Sequence, residues 1–269
     1  MLTRSCMVGA ALGLLVAVGA QAQELQPHRA AYDVAMLDHG KASADSPGTY
    51  AFELKLTCDA YIFNQRLHIE IDGTRASAVT EQLSQMIESR DGRKLHFEHR
   101  TTTNGRQTGL VRGDAVLGED GSGHARFSEP DGRSVVLPPG TMFPMAMTRA
   151  TLAHAAAGDM GFHSLFFFGE RPKPPQSVNV VIGRVPKRFA NLQIPEGGAS
   201  LVRGHSRIYY RGGFFDADSR KEGEPATFEM SSLTLDNGIE LYGTHEEGDG
   251  GGIEYRISRL ESLPKPHCN

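Results

Sequence analysis

Short turn dipeptides divide this chain into segments of strand length. Asp-Gly or Asn-Gly occurs seven times, with its first residue at positions 72, 91, 104, 120, 131, 237 and 249. These pairs tolerate the positive φ angles of the tight turns that join antiparallel strands. Between residues 72 and 132 they recur at about one strand plus one turn, which predicts a β-meander.

The segments between these turns alternate between apolar and polar residues. Leu67 and Ile69, for example, alternate with His68 and Glu70. The same period of two runs through residues 50–56, 95–98, 228–235, 239–241 and 253–257. This period is typical of strands with one face on a core and the other in solvent.

One segment breaks the strand pattern and predicts a helix. Residues 141–158 carry Pro144 in the first turn, an Ala-rich end and Gly158 just after it, which are typical positions for these residues in a helix. Val79 to Ile87 fits either a weaker helix or a strand, and we interpret it as a strand. The predicted fold is therefore mainly β, an antiparallel sheet with one principal helix.

The front of the chain reads as a secretory signal peptide, residues 1–22. Arg4 precedes an apolar run, and Ala20-Gln21-Ala22 is an A-x-A cleavage site. Cleavage after Ala22 removes Cys6 and leaves Cys58 and Cys268 in an oxidising compartment. An even number of cysteines in an exported chain favours a disulfide between them, and the alternative is two unrelated free thiols.

Composition limits the function classes. Removing Arg4 changes the net charge from −4 to −5, which argues against a nucleic-acid-binding protein because such proteins carry basic patches. After Ala22 no apolar run approaches the ~20 residues of a membrane helix. We predict one domain over residues 23–269.

No catalytic or cofactor motif is present. The stretch 204–208 lacks the closing glycine of a G-x-S-x-G elbow, and there is no Walker loop or Cys-x-x-Cys pair. Glu98, Glu229 and Glu240 are candidate acids for a hydrolase, but no spacing singles them out. His96 and His99 would lie on opposite faces of a strand and could not share a metal ion. We therefore predict no enzyme, no cofactor and no metal site.

Two residue patterns suggest binding. One is a basic stripe on a strand, which would contact an anionic lipid headgroup or glycan phosphate. The alternative is that the stripe is simply the solvent-exposed face of an antiparallel strand. Its members are Arg203, His205, Arg207, Tyr209 and Arg211. The other is an apolar pocket between the Phe-rich run at residues 165–168 and the start of the predicted helix. The alternative is that this run is a buried strand of the core. The pocket residues would be Met142, Phe143, Met145, Phe166 and Phe168.

Several short stretches together resemble the EipB family (DUF1849), periplasmic cell-envelope integrity proteins of alphaproteobacteria. The most specific is Leu137-Pro-Pro-Gly-Thr-Met-Phe-Pro144, together with the two cysteines. The others, in order, begin at Arg29, Gly48, Thr57 and Val181. The chain departs from the family pattern at Asp59-Ala60, where Glu-Gly is expected, and in the Pro-rich stretch 168–176.

The resemblance implies a β-spiral, a long curled sheet around a helix, closed by a Cys58–Cys268 disulfide and distantly like the LolA and LolB lipoprotein carriers. It also implies a periplasmic location and a role in envelope integrity, with a periplasmic TPR-repeat protein as a possible partner. Two hypotheses follow. The chain is a non-enzymatic protein that binds a protein or envelope component, or it carries a lipid or other apolar molecule.

Overall fold

The turns and alternating segments form a single long sheet in the part of the chain that the computed structural model describes, residues 24–72, 77–130, 132–195, 197–217 and 225–268. The predicted signal peptide lies outside these residues. The strands are β1 (His28–Asp38), β2 (Lys41–Leu56), β3 (Ala60–Asp72), β4 (Ser77–Ser89), β5 (Lys94–Thr103), β6 (Arg106–Leu117), β7 (Gly123–Glu129), β8 (Ser134–Leu137), β9 (Thr141–Met142), β10 (Gly161–Phe166), β11 (Gln176–Gly183), β12 (Arg207–Phe215), β13 (Phe228–Leu235), β14 (Glu240–Glu247) and β15 (Gly251–Ser262). The helices are α1 (Pro144–Ala157) and α2 (Ala199–Val202), with a 3-10 turn at Lys187–Phe189.

The connection between the two sheet edges forces the sheet to curl. Among the described residues the order is β8-β7-β6-β5-β4-β3-β2-β1-β15-β14-β13-β12-β11-β10-β9, so β8 and β9 are its edges. Only residues 138–140 separate β8 from β9 in the chain, and three residues span at most about 11 Å. The edges therefore lie close together, and the sheet is a nearly closed spiral, as predicted.

Helix α1 lies against the concave face of this sheet. It begins with Pro144 and ends before Gly158, whose φ of 80° is the left-handed conformation that glycine favours at this position. The predicted helix is confirmed over Pro144–Ala157, but the first two residues of the predicted range form β9 instead. Leu152 of α1 and the preceding Phe143 are almost fully buried in the largest apolar cluster. No helix within the described residues is long and apolar enough to cross a membrane.

The predicted meander and its turns agree with the structure. Strands β2 to β8 pair in chain order, and Asn104 and Gly105 both have positive φ angles between β5 and β6. Val79 to Ile87 belongs to β4, so the strand interpretation is confirmed. Gly73 and Asp131, which belong to two of the seven dipeptides, lie outside the described residues.

The two cysteines form the predicted disulfide. Cys58 lies in the turn between β2 and β3, and Cys268 lies in the tail after β15, with an S–S distance of 2.08 Å and a sequence separation of 210. The bond therefore fixes the C-terminal tail beside the N-terminal strands β2 and β3.

A second layer covers part of the outer face of the sheet. Phe189 and Leu201, from the 3-10 turn and α2, pack in one cluster with Leu233 and Leu235 of β13. The sheet is thus buried on both faces here, and the residues that alternate with these leucines face the inside of the spiral. This arrangement creates the candidate site.

Candidate ligand-binding site

A cavity of about 220 Å³ lies between α1 and the inner face of the spiral, and it is partly open to solvent. Its lining comes from α1 and from strands β1–β3 and β10–β15. Inner residues of β4 to β8 instead pack in the apolar cluster that contains α1, so the cavity is confined to the other strands. An engineered apolar cavity of 150 Å³ holds benzene, so this one has room for a ligand of about ten non-hydrogen atoms.

One wall of the cavity is apolar and includes three of the five predicted pocket residues, Met145, Phe166 and Phe168. The prediction is wrong for Phe143 and Met142, which do not line the cavity. Phe143 is fully buried and packs edge-on against Phe167 at 6.3 Å. Met142 is in β9 and pairs with Phe166 of the neighbouring strand, because the helix begins at Pro144 and not at residue 141.

A β-bulge places Glu240 at the other, polar wall. Thr234 pairs with Glu240 and Leu233 pairs with Tyr242, so Leu241 is an extra residue in β14. The bulge reverses the side-chain direction. Glu240 therefore lines the cavity, while Tyr242 packs against Phe189 of the outer layer at 4.6 Å.

The carboxylate of Glu240 accepts two hydrogen bonds from hydroxyl groups. Ser232 donates to Oε1 at 2.5 Å, and Tyr255 donates to Oε2 at 3.2 Å. Burial raises the pKa of Glu240 to about 7, and these two hydrogen bonds oppose the shift. Although Glu240 lies deep inside the fold, its side chain is only half-buried, because its remaining surface faces the cavity.

Four tyrosines line the cavity with this carboxylate: Tyr32, Tyr50, Tyr210 and Tyr255. The ring centroids of the first, second and fourth are 5.2 to 5.6 Å apart. Tyr32 donates from its hydroxyl to the backbone oxygen of Glu240 at 3.0 Å. Burial raises the pKa of all four hydroxyls, so they stay neutral at physiological pH.

His28 also belongs to the lining and is a neutral residue. Its Nδ1 lies 2.7 Å from the backbone oxygen of Gln26, which can only accept, so Nδ1 carries the proton. Burial lowers the pKa of His28 and keeps the ring neutral. Its Nε2 is buried and has no hydrogen-bond partner among the described residues.

The predicted basic stripe is not a single strand. Residues 199–202 form α2, Gly204 has a φ of 82°, and β12 begins only at Arg207, so Arg203 and His205 lie outside it. Tyr209 packs beside Phe189 of the outer layer at 6.0 Å. The structure pairs the other side chains with local groups: His205 with Asp236, Arg207 with the Phe189 carbonyl and Arg211 with Glu229. Contact with an anionic envelope component stays a prediction.

The other candidate acids and histidines are not among the residues that line the cavity. Glu98 pairs with Arg100, and Glu229 is about half exposed, so Glu240 is the carboxylate among the described lining residues. His96 is bonded to Asp114 on the exposed face, and His99 stacks on Phe168, as the odd spacing predicts. No group of three His, Cys, Asp or Glu side chains in the described ranges is placed to hold a metal.

Comparison with known proteins identifies the family. A family model described as EipB-like matches residues 19–243. The chain belongs to the EipB-like family. It is also similar to the crystal structure of a beta-barrel-like protein of domain of unknown function DUF1849 from Brucella abortus. Identity is 23%, the TM-score is 0.76, and the match covers 90% of this chain and 99% of that one. That likeness supports the fold alone. No curated protein matches the chain.

Sequence reasoning missed most of the polar wall of this EipB-like protein. It included Glu240 among three acids but singled out neither the tyrosines nor His28. One signal was available. Ser232 and Thr234 alternate with Leu233 and Leu235, which predicts a polar face, and only the outer layer shows that this face is internal.

Proposed function

We propose that this EipB-like protein is a non-enzymatic protein of the periplasm that supports the cell envelope by binding a small, largely apolar envelope molecule in its cavity. The observation that carries the proposal is the cavity itself. A spiral built only for stability would fill its interior, since protein cores are close-packed. Here Met145, Phe166 and Phe168 keep apolar surface on unfilled space instead.

The chemistry of the lining supports binding without catalysis. Most of it is hydrophobic, with a few polar groups at one wall, which is the usual composition of a ligand site. Hydrolysis with paired acids needs a second carboxylate near Glu240, and the described lining offers none. The signal peptide predicted over residues 1–22 and the Cys58–Cys268 disulfide support an oxidising, periplasmic location.

A cavity-filling variant tests the proposal. Thr148 lines the cavity from α1, and Ala153 is exposed on the same helix. We expect n-octanol, titrated by calorimetry, to bind the unmodified protein and Ala153→Phe equally, and to lose binding to Thr148→Phe. Octanol that binds none of the three proteins would overturn the cavity as a ligand site.

The natural ligand is sought in the same proteins. Each is purified gently from the periplasm and extracted for mass spectrometry. We expect a stoichiometric small molecule in the unmodified protein and in Ala153→Phe but not in Thr148→Phe. Octanol binding without any co-purified molecule would favour a protein partner as the physiological target.

A further inference from the structure

The cavity contains a carboxylate and no cationic side chain. Among the described lining residues there is no Lys or Arg, and His28 is kept neutral by burial. A ligand carboxylate or phosphate would lie near Glu240 without a counter-charge, and an unpaired buried charge is costly. The charge of this lining therefore disfavours fatty acids and phosphorylated lipids as ligands that place the charged group inside.

The hydrogen-bond acceptor that the polar wall presents to the cavity is the Glu240 carboxylate. Tyr32 and Tyr255 already direct their hydroxyl protons to Glu240. Both oxygens of the Glu240 carboxylate accept, and each has further lone-pair capacity. A ligand group that donates hydrogen bonds therefore complements this carboxylate.

The aromatic rings also favour positive charge. The rings of Tyr32, Tyr50 and Tyr255 lie within 5.6 Å of one another beside Glu240. The face of an aromatic ring attracts a cation within about 6 Å of its centroid. The carboxylate and the aromatic rings thus both favour a positively charged ligand group.

We propose that the cavity takes an amphiphile with a protonated amine at one end. The nitrogen lies beside Glu240, and the hydrocarbon part lies against Met145, Phe166 and Phe168. This inference rests on the proposed function and names the ligand class for the same site. The volume limits the enclosed part of the ligand to about ten non-hydrogen atoms.

Three probes with the same chain length test the ligand class. Octylamine, n-octanol and octanoate are titrated into the full protein at pH 7.5 by calorimetry, below their micelle concentrations. A charge-assisted hydrogen bond is about twice as strong as a neutral one, so we expect octylamine to bind at least about tenfold more tightly than octanol. Octanoate should bind more weakly than octanol.

Two matched variants locate the effect. Glu240→Gln removes the charge inside the cavity, and Glu247→Gln removes the same charge at the exposed end of β14. We expect Glu240→Gln to lose the octylamine preference while octanol affinity is unchanged, and Glu247→Gln to behave like the unmodified protein. If Glu240→Gln does not fold, the ranking of the three probes on the unmodified protein decides.

The outcomes separate the two proposals. Equal binding of octylamine and octanol, or tighter binding of octanoate, overturns the amine inference and leaves the proposed function standing. An octylamine preference that survives Glu240→Gln also overturns it. If no probe binds, both fail together.

Discussion

Strands β5 and β13 belong to the same sheet, but they present different side chains to its interior. In β5, Leu95 and Phe97 point inward and pack in the cluster that contains α1. In β13, Ser232 and Thr234 face the polar wall of the cavity, whereas Leu233 and Leu235 face the outer layer. The difference shows that alternation separates the two faces of a strand, but not which face is the inside.

The two parts of the spiral also use buried carboxylates differently. Glu88 of β4 accepts hydrogen bonds from the backbone N–H groups of Met145 and Ala146, both at 2.7 Å, and so caps α1, whose own N-cap residue makes no side-chain hydrogen bond. Glu240 instead meets hydroxyl groups and open space. Burial raises the pKa of both to about 7, so a raised pKa alone does not mark a ligand site.

The largest expected effect is the loss of the disulfide that ties the tail after β15 to the turn before β3. Closing a loop of 210 residues is worth about 5 kcal/mol on the chain-entropy model. We expect Cys58→Ser and Cys268→Ser to lower the free energy of unfolding by similar amounts in urea under oxidising conditions. Because both remove the same bond, the double variant should match either single one, and additive losses would contradict this account.

Next comes a direct comparison of the two interiors. Phe97 is fully buried against Phe127 and Phe167, so Phe97→Ala should lower the free energy of unfolding by about 3–5 kcal/mol. Thr234→Val removes one hydroxyl from the cavity wall and should cost about 1 kcal/mol. Equal losses in urea denaturation would contradict the expected difference between the two interiors.

The cap on α1 is expected to have an intermediate effect. Glu88→Ala leaves two buried N–H groups of the first turn without an acceptor, which costs about 1–3 kcal/mol each. Glu88→Gln keeps one acceptor oxygen and should lose less. The helical signal in circular dichroism and the urea midpoint both check this order, and a Gln variant as unstable as the Ala variant would refute it.

The smallest effect concerns pH. Since burial raises the pKa of Glu88 and Glu240 from 4.5 to about 7, their contribution to stability is full below about pH 4.5 and is lost as the pH rises through about 7. Lowering the pH from 8 to 6.5 should therefore raise the free energy of unfolding by about 1 kcal/mol for each glutamate.

Glu240→Gln separates the cavity carboxylate from the capping one. It should remove about half of this rise in thermal or urea unfolding. Burial lowers the pKa of His28 and His99, so these histidines destabilise the fold as the pH falls below about 6.5. Their effect is common to both proteins and cancels in the difference. An unchanged pH dependence in Glu240→Gln would show that the cavity carboxylate does not titrate in this range.

Local physics is enough to predict much of this fold. Tight-turn dipeptides and the two-residue period specify hairpins, as at Asn104-Gly105, because both effects act between neighbours in the chain. Pro144 and Gly158 bound the helix for the same reason. The Cys58–Cys268 bond agrees with the even cysteine count that remains once the predicted signal peptide is set aside.

Tertiary structure alone decided the site. Glu240 alternates with Ile239 and Leu241 and reads as a solvent-facing residue, but the bulge in β14 and the layer around Phe189 place it inside. The break at Gly204 likewise separates Arg203 from the strand of Arg211. These outcomes depend on contacts between residues far apart in the chain. A period of two identifies two faces, and only the packing of the whole spiral determines which of them encloses the cavity.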